Sequence, residues 1–194
     1  MDRCDACPFV YADVPAEAVA GRLRGLVPAY RSRLAGPDVA GPELLRAHPR
    51  PGVWSALEYA CHVRDVLGAQ RGRLLRAQAE DRPEAVSMDR DGRVARERYN
   101  EQDPAAVADE LAAAAELLAG AFDALGGSGA PGWQRVIVYH WPETAERDMA
   151  WLGRHTVHEG VHHLRDIDDV LAAAATAAAA ATTARPPGGD PTGD

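Results

Sequence analysis

The sequence predicts an all-α protein, a bundle of four principal helices with long inter-helix connections and at most a short extended segment. Three observations carry this. Apolar residues recur at helical spacing in four separate stretches. Two of those stretches open on recognisable caps, Ser55 and Asp103. The segments between them are rich in Pro, Gly and charge and lack strand-like alternation. At 194 residues the chain is long enough for one domain with a substantial core.

Residues 1–15 read as a leader containing Cys4-Asp5-Ala6-Cys7, and residues 16–172 as the bundle domain. The first helix, residues 16–35, repeats Leu23, Leu26, Val27, Tyr30 and Leu34; Pro28 should kink or divide it. The Pro- and Gly-rich residues 36–52 form a loop. Ser55-Ala56-Leu57-Glu58 has the form of a capping box, flanked by Trp54 and Tyr59 at the two staple positions. The helix it opens runs to about Gln78 or Glu80, with Tyr59, Val63, Val66, Leu67 and Leu74 on its apolar face. His62 lies at the edge of that face, beside Glu58 and Asp65.

Residues 82–102 are a polar connection with a short helix near Val94 to Tyr99. Asp103-Pro104 starts the third helix, Asp as N-cap and Pro at the first helical position. It carries Val107, Leu111, Ala114, Leu118 and Phe122 and stops at Gly126-Gly127. Val136 to Tyr139 is a short strand or an extended cover segment, and Pro142 opens a fourth helix running to about Ala173. On that helix Val157, Val161, Leu164, Ile167 and Leu171 take one side, while Trp151, His155, His158 and His162 form a polar line opposite. Residues 173–194, Ala-rich and then Pro- and Gly-rich, have little to bury and are expected to be a disordered tail.

Acidic residues outnumber basic ones 29 to 21, and the formal charge is −8. That argues against nucleic acid as a partner, because phosphate binding needs a concentrated cationic surface. The start is polar, without the apolar core of a signal peptide, and no apolar run reaches membrane-spanning length. The expectation is a cytoplasmic protein with no membrane partner. Three cysteines do not make a disulfide framework. Cys4-x-x-Cys7 could be half a zinc site, but a structural zinc needs four ligands and the chain has no second cysteine pair. The pair is therefore read as incidental thiols on a flexible end, and Cys61 as a small packing residue. One or two of Trp54, Trp133, Trp141 and Trp151 are candidates for the wall of a pocket.

The histidines are the most informative residues. His155, His158, His162 and His163 fall within nine positions, while the rest of the chain holds three. Residues at i and i+4 of a helix share a side, with Cβ atoms roughly 6 Å apart. His158 and His162 can therefore converge on one metal ion, and His62, from another helix, can supply a third nitrogen. Asp65 and Asp166, each about a turn from a candidate ligand, could accept the second N–H of an imidazole. The segment also matches H-E-x-x-H, the zinc-protease helix with its Glu, here Glu159, as general base. The missing downstream third ligand and peptide-holding sheet edge argue against a protease.

The Trp54-Ser55 entry to the second helix, the following Glu58-Tyr59-Ala60-Cys61-His62, and the His-x-x-x-His-His run from His158 to His163 resemble the DinB-like (DinB/YfiT) superfamily of four-helix-bundle metalloproteins. The resemblance spans residues 16–172. It implies a divalent metal, zinc or else nickel, held by His62, His158 and His162. It implies kinship with mycothiol-dependent maleylpyruvate isomerases, hence an enzyme using a low-molecular-weight thiol such as mycothiol and a small-molecule electrophile, and a homodimer. It implies no binding of DNA. The leading expectation is a metal-dependent S-transferase or isomerase that activates a thiol at a three-His site. Two alternatives stand beside it: a bundle that binds metal or a small molecule without turnover, and a hydrolase using metal-bound water with Glu159 as base.

Overall fold

The computed structural model describes residues 3–37, 41–140 and 143–183. Six α-helices follow in chain order: α1 (Val19–Ala35), α2 (Pro42–Arg46), α3 (Ala56–Ala79), α4 (Arg90–Arg96), α5 (Pro104–Asp123) and α6 (Met149–Thr183). Strands β1 (Val136–Tyr139) and β2 (Ala145–Asp148) form a small antiparallel hairpin with Val136 opposite Asp148.

The bundle is built from α1, α3, α5 and α6. Each of α1 and α3 packs against both α5 and α6, so α1 lies diagonally from α3 and α5 diagonally from α6, while α3 and α5 are side by side. Short loops would force consecutive helices to be antiparallel neighbours. The long connections through α2 and through the hairpin permit the diagonal crossing. Leu23, Leu57, Leu67, Leu111, Leu118, Phe122 and Leu152 fill the centre, each at most 2 % exposed.

The helix starts follow local chemistry. Ser55 and Glu58 form both halves of a capping box: the Glu58 amide donates to Ser55 Oγ at 3.1 Å, and the Ser55 amide donates to Glu58 Oε2 at 2.8 Å. Trp54 and Tyr59 close the staple with ring centroids 5.3 Å apart. Asp103 caps α5 by accepting from the Ala106 amide at 2.8 Å.

Four expectations are corrected. Pro28 does not divide the first helix: α1 is one helix because Leu23 and Leu26 before it and Tyr30 and Leu34 after it all anchor in the core. The last helix does not open at Pro142, which with Trp141 lies outside the described residues. It starts at Met149, because residues 145–148 pair with β1 and Asp148 then accepts the Trp151 amide at 2.7 Å. Nor does it end near Ala173. It continues to Thr183, since alanine, the best helix former, extends a helix on propensity without burial. The tail expected beyond that lies, from residue 184, outside the described residues. Finally, residues 3–15 are not a loose leader. They pack on α6 with Cys7, Tyr11 and Val14 buried, and Arg154 Nε donates to the Val14 carbonyl at 2.8 Å.

Candidate functional site

The site is assembled where α3 meets α6. His62, in the second turn of α3, is 5 % exposed. It arrives there because the capping box fixes the start of the helix and therefore its rotation. Its ring packs against Trp54 at 5.2 Å and meets His163 edge-on at 5.1 Å. Opposite, α6 approaches α1 closely through Gly153 and Gly160. A Cβ at Gly160 would lie 2.3 Å from Leu26 Cδ1, and the Gly160 carbonyl accepts from Tyr30 Oη at 2.8 Å.

Possible metal-ligand atoms lie within 4.8 Å of one another in four groups among the described residues: His62, Glu159 and His163; Cys4, Cys7, His158 and His162; His155, His158 and Glu159; and His162, His163 and Asp166. The three histidines expected to share one ion are thus divided. His62 meets Glu159 and His163, whereas His158 and His162 face the N-terminal cysteines. The reason is helix geometry. Adjacent residues point about 100° apart, so choosing His163 over His162 changes the neighbour entirely. The i, i+4 relation that recommends His158 and His162 holds equally for Glu159 and His163. That pairing was the available signal for His163; nothing in the local sequence pointed to Cys4, Cys7 or Tyr11 as neighbours of this helix.

Within the first group, His163 Nε2 stands 3.6 Å from Glu159 Oε2, and His163 Nδ1 donates to Asp166 Oδ2 at 2.7 Å. A carboxylate behind an imidazole in this way fixes the ring and leaves its other nitrogen for a cation. Asp65, the partner expected for His62, is instead taken by Tyr99 Oη at 2.5 Å, Arg64 Nε at 2.9 Å and Arg93 Nε at 3.1 Å.

The electrostatics separate the imidazoles. Burial, reinforced by the charge of His163, lowers the pKa of His62 to about 4. Burial likewise lowers His158 to about 4 and depresses His155. For His163 burial pulls the same way, but Asp166 and Glu159 outweigh it and raise the pKa to about 9. Burial opposes ionisation of Glu159 too, yet His163 and the neighbouring imidazoles hold it well below the ordinary carboxylate range. At neutral pH the group is a neutral imidazole, a carboxylate and an imidazolium whose proton occupies the centre. Cys61 is fully buried, its thiol pushed up to about 12 by burial, and takes no part.

Two imidazoles and one carboxylate from facing helices fit a divalent cation. Three protein donors leave a position open, which is how catalytic rather than structural zinc is held. A recess of about 550 Å³ lined by Phe9, Val14, Leu26 and Val157 lies between the N-terminal segment and α1. No imidazole or carboxylate of this group lines it, so it is not assigned to the chemistry.

Fold and residues together define a four-helix bundle with an acidic and imidazole donor group between facing helices. The chain belongs to the DinB superfamily, whose sequence profile matches residues 22–167. Among solved structures it is similar to YfiT from Bacillus subtilis, described as "a probable metal-dependent hydrolase with an unusual four-helix bundle topology". The TM-score is 0.69 at 15% sequence identity, over 80% of this chain and 85% of that one. At that identity the likeness establishes the fold. No curated protein matches the chain in sequence. Among the described residues no helix is long and apolar enough to cross a membrane.

Proposed function

We propose that this protein is a metal-dependent enzyme joining a low-molecular-weight thiol to a small electrophile, an S-transferase or thiol-assisted isomerase, with the ion held by His62, Glu159 and His163. The supporting observation is the engagement of Glu159. It faces His163 at 3.6 Å and belongs to the donor group, so it is not a spare base for water. The other carboxylates nearby are also committed, Asp166 to His163 and Glu58 to the capping box and to His48 Nε2 at 2.8 Å. A thiol needs no such base: its ordinary pKa is about 8.5, and coordination to a cation deprotonates it outright.

The chain's own residues supply position and charge. Asp166 orients His163, while Trp54 and Tyr59 pack on the rings of His62 and His163 at 5.2 and 5.3 Å. The Arg90 guanidinium lies 5.4 Å over the Trp54 ring, and its charge is felt at His62. Arg50 and Arg90 both act on Tyr59. Cations on this side suit an electrophile or thiol that carries a carboxylate. Imidazole and carboxylate donors suit zinc first, and nickel also.

Metal-loaded and metal-stripped protein should be incubated with mycothiol, bacillithiol or glutathione and a chlorodinitrobenzene- or bimane-type electrophile. The expected result is conjugation that requires metal and is lost with the metal in Glu159→Gln. Absence of metal-dependent conjugation with every thiol overturns the proposal. The description of YfiT favours a second reading, hydrolysis with Glu159 as base. Under it, Glu159→Gln keeps its metal and loses only turnover of esters or amides.

A further inference from the structure

The group formed by Cys4, Cys7, His158 and His162 lies outside the proposed catalytic centre and has a different character. We propose that these four residues form a closed, structural zinc site that pins the N-terminal segment to α6. The spacing is Cys-x-x-Cys and His-x-x-x-His, the pattern of tetrahedral zinc with two thiolates and two imidazoles. The second pair of ligands comes from the last helix, not from further cysteines. All four ligand atoms lie within 4.8 Å of one another. Cys4 Sγ stands 3.8 Å from His162 Nδ1. A tetrahedron with zinc–sulfur bonds of about 2.3 Å and zinc–nitrogen bonds of about 2.0–2.1 Å has sulfur–nitrogen edges of about 3.6 Å.

The surroundings are built for these donors. The Cys4 amide donates to the Phe9 carbonyl at 3.0 Å, and Arg3 bridges Val10, closing the turn that carries both cysteines. Arg165 holds that turn from α6 by donating to the Ala6 carbonyl at 2.8 Å. Cys7 is 7 % exposed and His158 8 %. His158 Nε2 is buried with no hydrogen-bond partner in the protein, while His158 Nδ1 lies 3.3 Å from Tyr11 Oη. With Nδ1–H donating to Tyr11, the lone pair falls on Nε2, the nitrogen without a partner. Behind His162, Nε2 faces Asp166 Oδ2 at 3.6 Å. Each imidazole therefore has an oxygen on the side away from its sulfur neighbours or free nitrogen, as ligating histidines do.

Four protein donors leave no open position, so this ion would be structural. Its effect reaches the first group through register. His158 and His162 alternate with Glu159 and His163 on the same two turns, so a clamp on one pair fixes the rotation of α6 that aims the other at His62.

Full-length protein, reduced and metal-free, should be titrated with zinc and separately with cobalt(II). Wild type is expected to bind about two equivalents, and the cobalt form to show thiolate-to-cobalt charge transfer with the intense visible bands of a tetrahedral site. The double variant Cys4→Ser, Cys7→Ser should lose one equivalent and the charge transfer; His62→Ala should lose the other equivalent and keep it. Because a cysteine variant could fail to fold, the wild-type zinc protein should also be titrated with a mercurial, releasing one equivalent of zinc as about two thiols react. A cobalt protein without charge transfer, or zinc release uncoupled from thiol modification, overturns the proposal.

Discussion

The ring of His62 meets that of His163 edge-on, centroids 5.1 Å apart, across the contact between α3 and α6. His162, one residue earlier, has its Nδ1 3.8 Å from Cys4 Sγ. Two adjacent imidazoles on one helix thus face different donors.

That division predicts different losses from similar substitutions. His62→Ala and His163→Ala should each abolish metal binding at the same site and, with it, thiol conjugation. His162→Ala should leave that site able to load and to conjugate, with metal affinity weakened only as far as loss of the N-terminal clamp loosens the rotation of α6. Chelator competition on each variant, beside the conjugation assay, checks this. Loss of activity in His162→Ala with activity retained in His163→Ala would restore the pairing of His62 with His158 and His162.

Metal uptake at the first group should follow the proton on His163. His62 is already neutral near pH 7 and Glu159 already ionised, whereas His163 carries a proton with a pKa raised to about 9. Binding at pH 7 should therefore release about one proton, and affinity should rise about tenfold per pH unit until it levels near pH 9. In the metal-free protein the contribution of His163 to stability has the opposite dependence. A raised folded-state pKa contributes stability that is complete below the ordinary value of about 6.5 and is lost as pH rises through about 9. Calorimetry of the Cys4→Ser, Cys7→Ser protein in buffers of different ionisation enthalpy isolates the proton count. A pH-independent affinity between pH 6 and 8 would contradict it.

The helices were legible because their signals are local. Ser55 with Glu58, Trp54 with Tyr59, and Asp103 with Pro104 act within one turn, and each is present as read. The clustering of histidine on the last helix was equally plain. What local spacing could not carry was the facing partner. His158 with His162 and Glu159 with His163 satisfy the same i, i+4 relation, and only the packing of α3 on α6 selects between them. The thiols of Cys4 and Cys7 are more than 150 positions from His158 in the chain, so no motif links them. The Ala-rich segment to Thr183 is helical for another reason: it has little to bury, and the helix propensity of alanine decides its state.

Ser55→Ala should destabilise the protein by about 1 kcal/mol, as loss of an N-cap acceptor does. The Ser55 hydroxyl also donates to Asn100 Oδ1 at 2.7 Å, and Ser55 is fully buried, so the cost should sit toward the upper end of roughly 0.5–2 kcal/mol. Urea unfolding of metal-free protein should show a lower midpoint at unchanged slope. Because the cap sets the start of α3, metal affinity through His62 should weaken as well, and an unchanged affinity would separate the cap from the site.

Gly153→Ala tests whether the close seat of α6 aims its ligands. A Cβ there would lie 2.7 and 2.9 Å from the two Cγ atoms of Val19 and 3.1 Å from Phe122 Cζ. Val19 is β-branched, fully buried and at the start of α1, so it has no alternative rotamer to take without strain. The added methyl must push α6 away from α1, at a cost of about 1–3 kcal/mol by analogy with overpacked cores. Gly153 lies six residues before Glu159 on the same rigid helix, so the displacement carries to the ligands. The expected outcome is a lower unfolding midpoint together with weaker metal binding at the group shared with His62. Stability lost without any change in metal affinity would mean that the donors of α6 are held by their own hydrogen bonds, those of Asp166 and Tyr11, and not by how tightly the helix is seated.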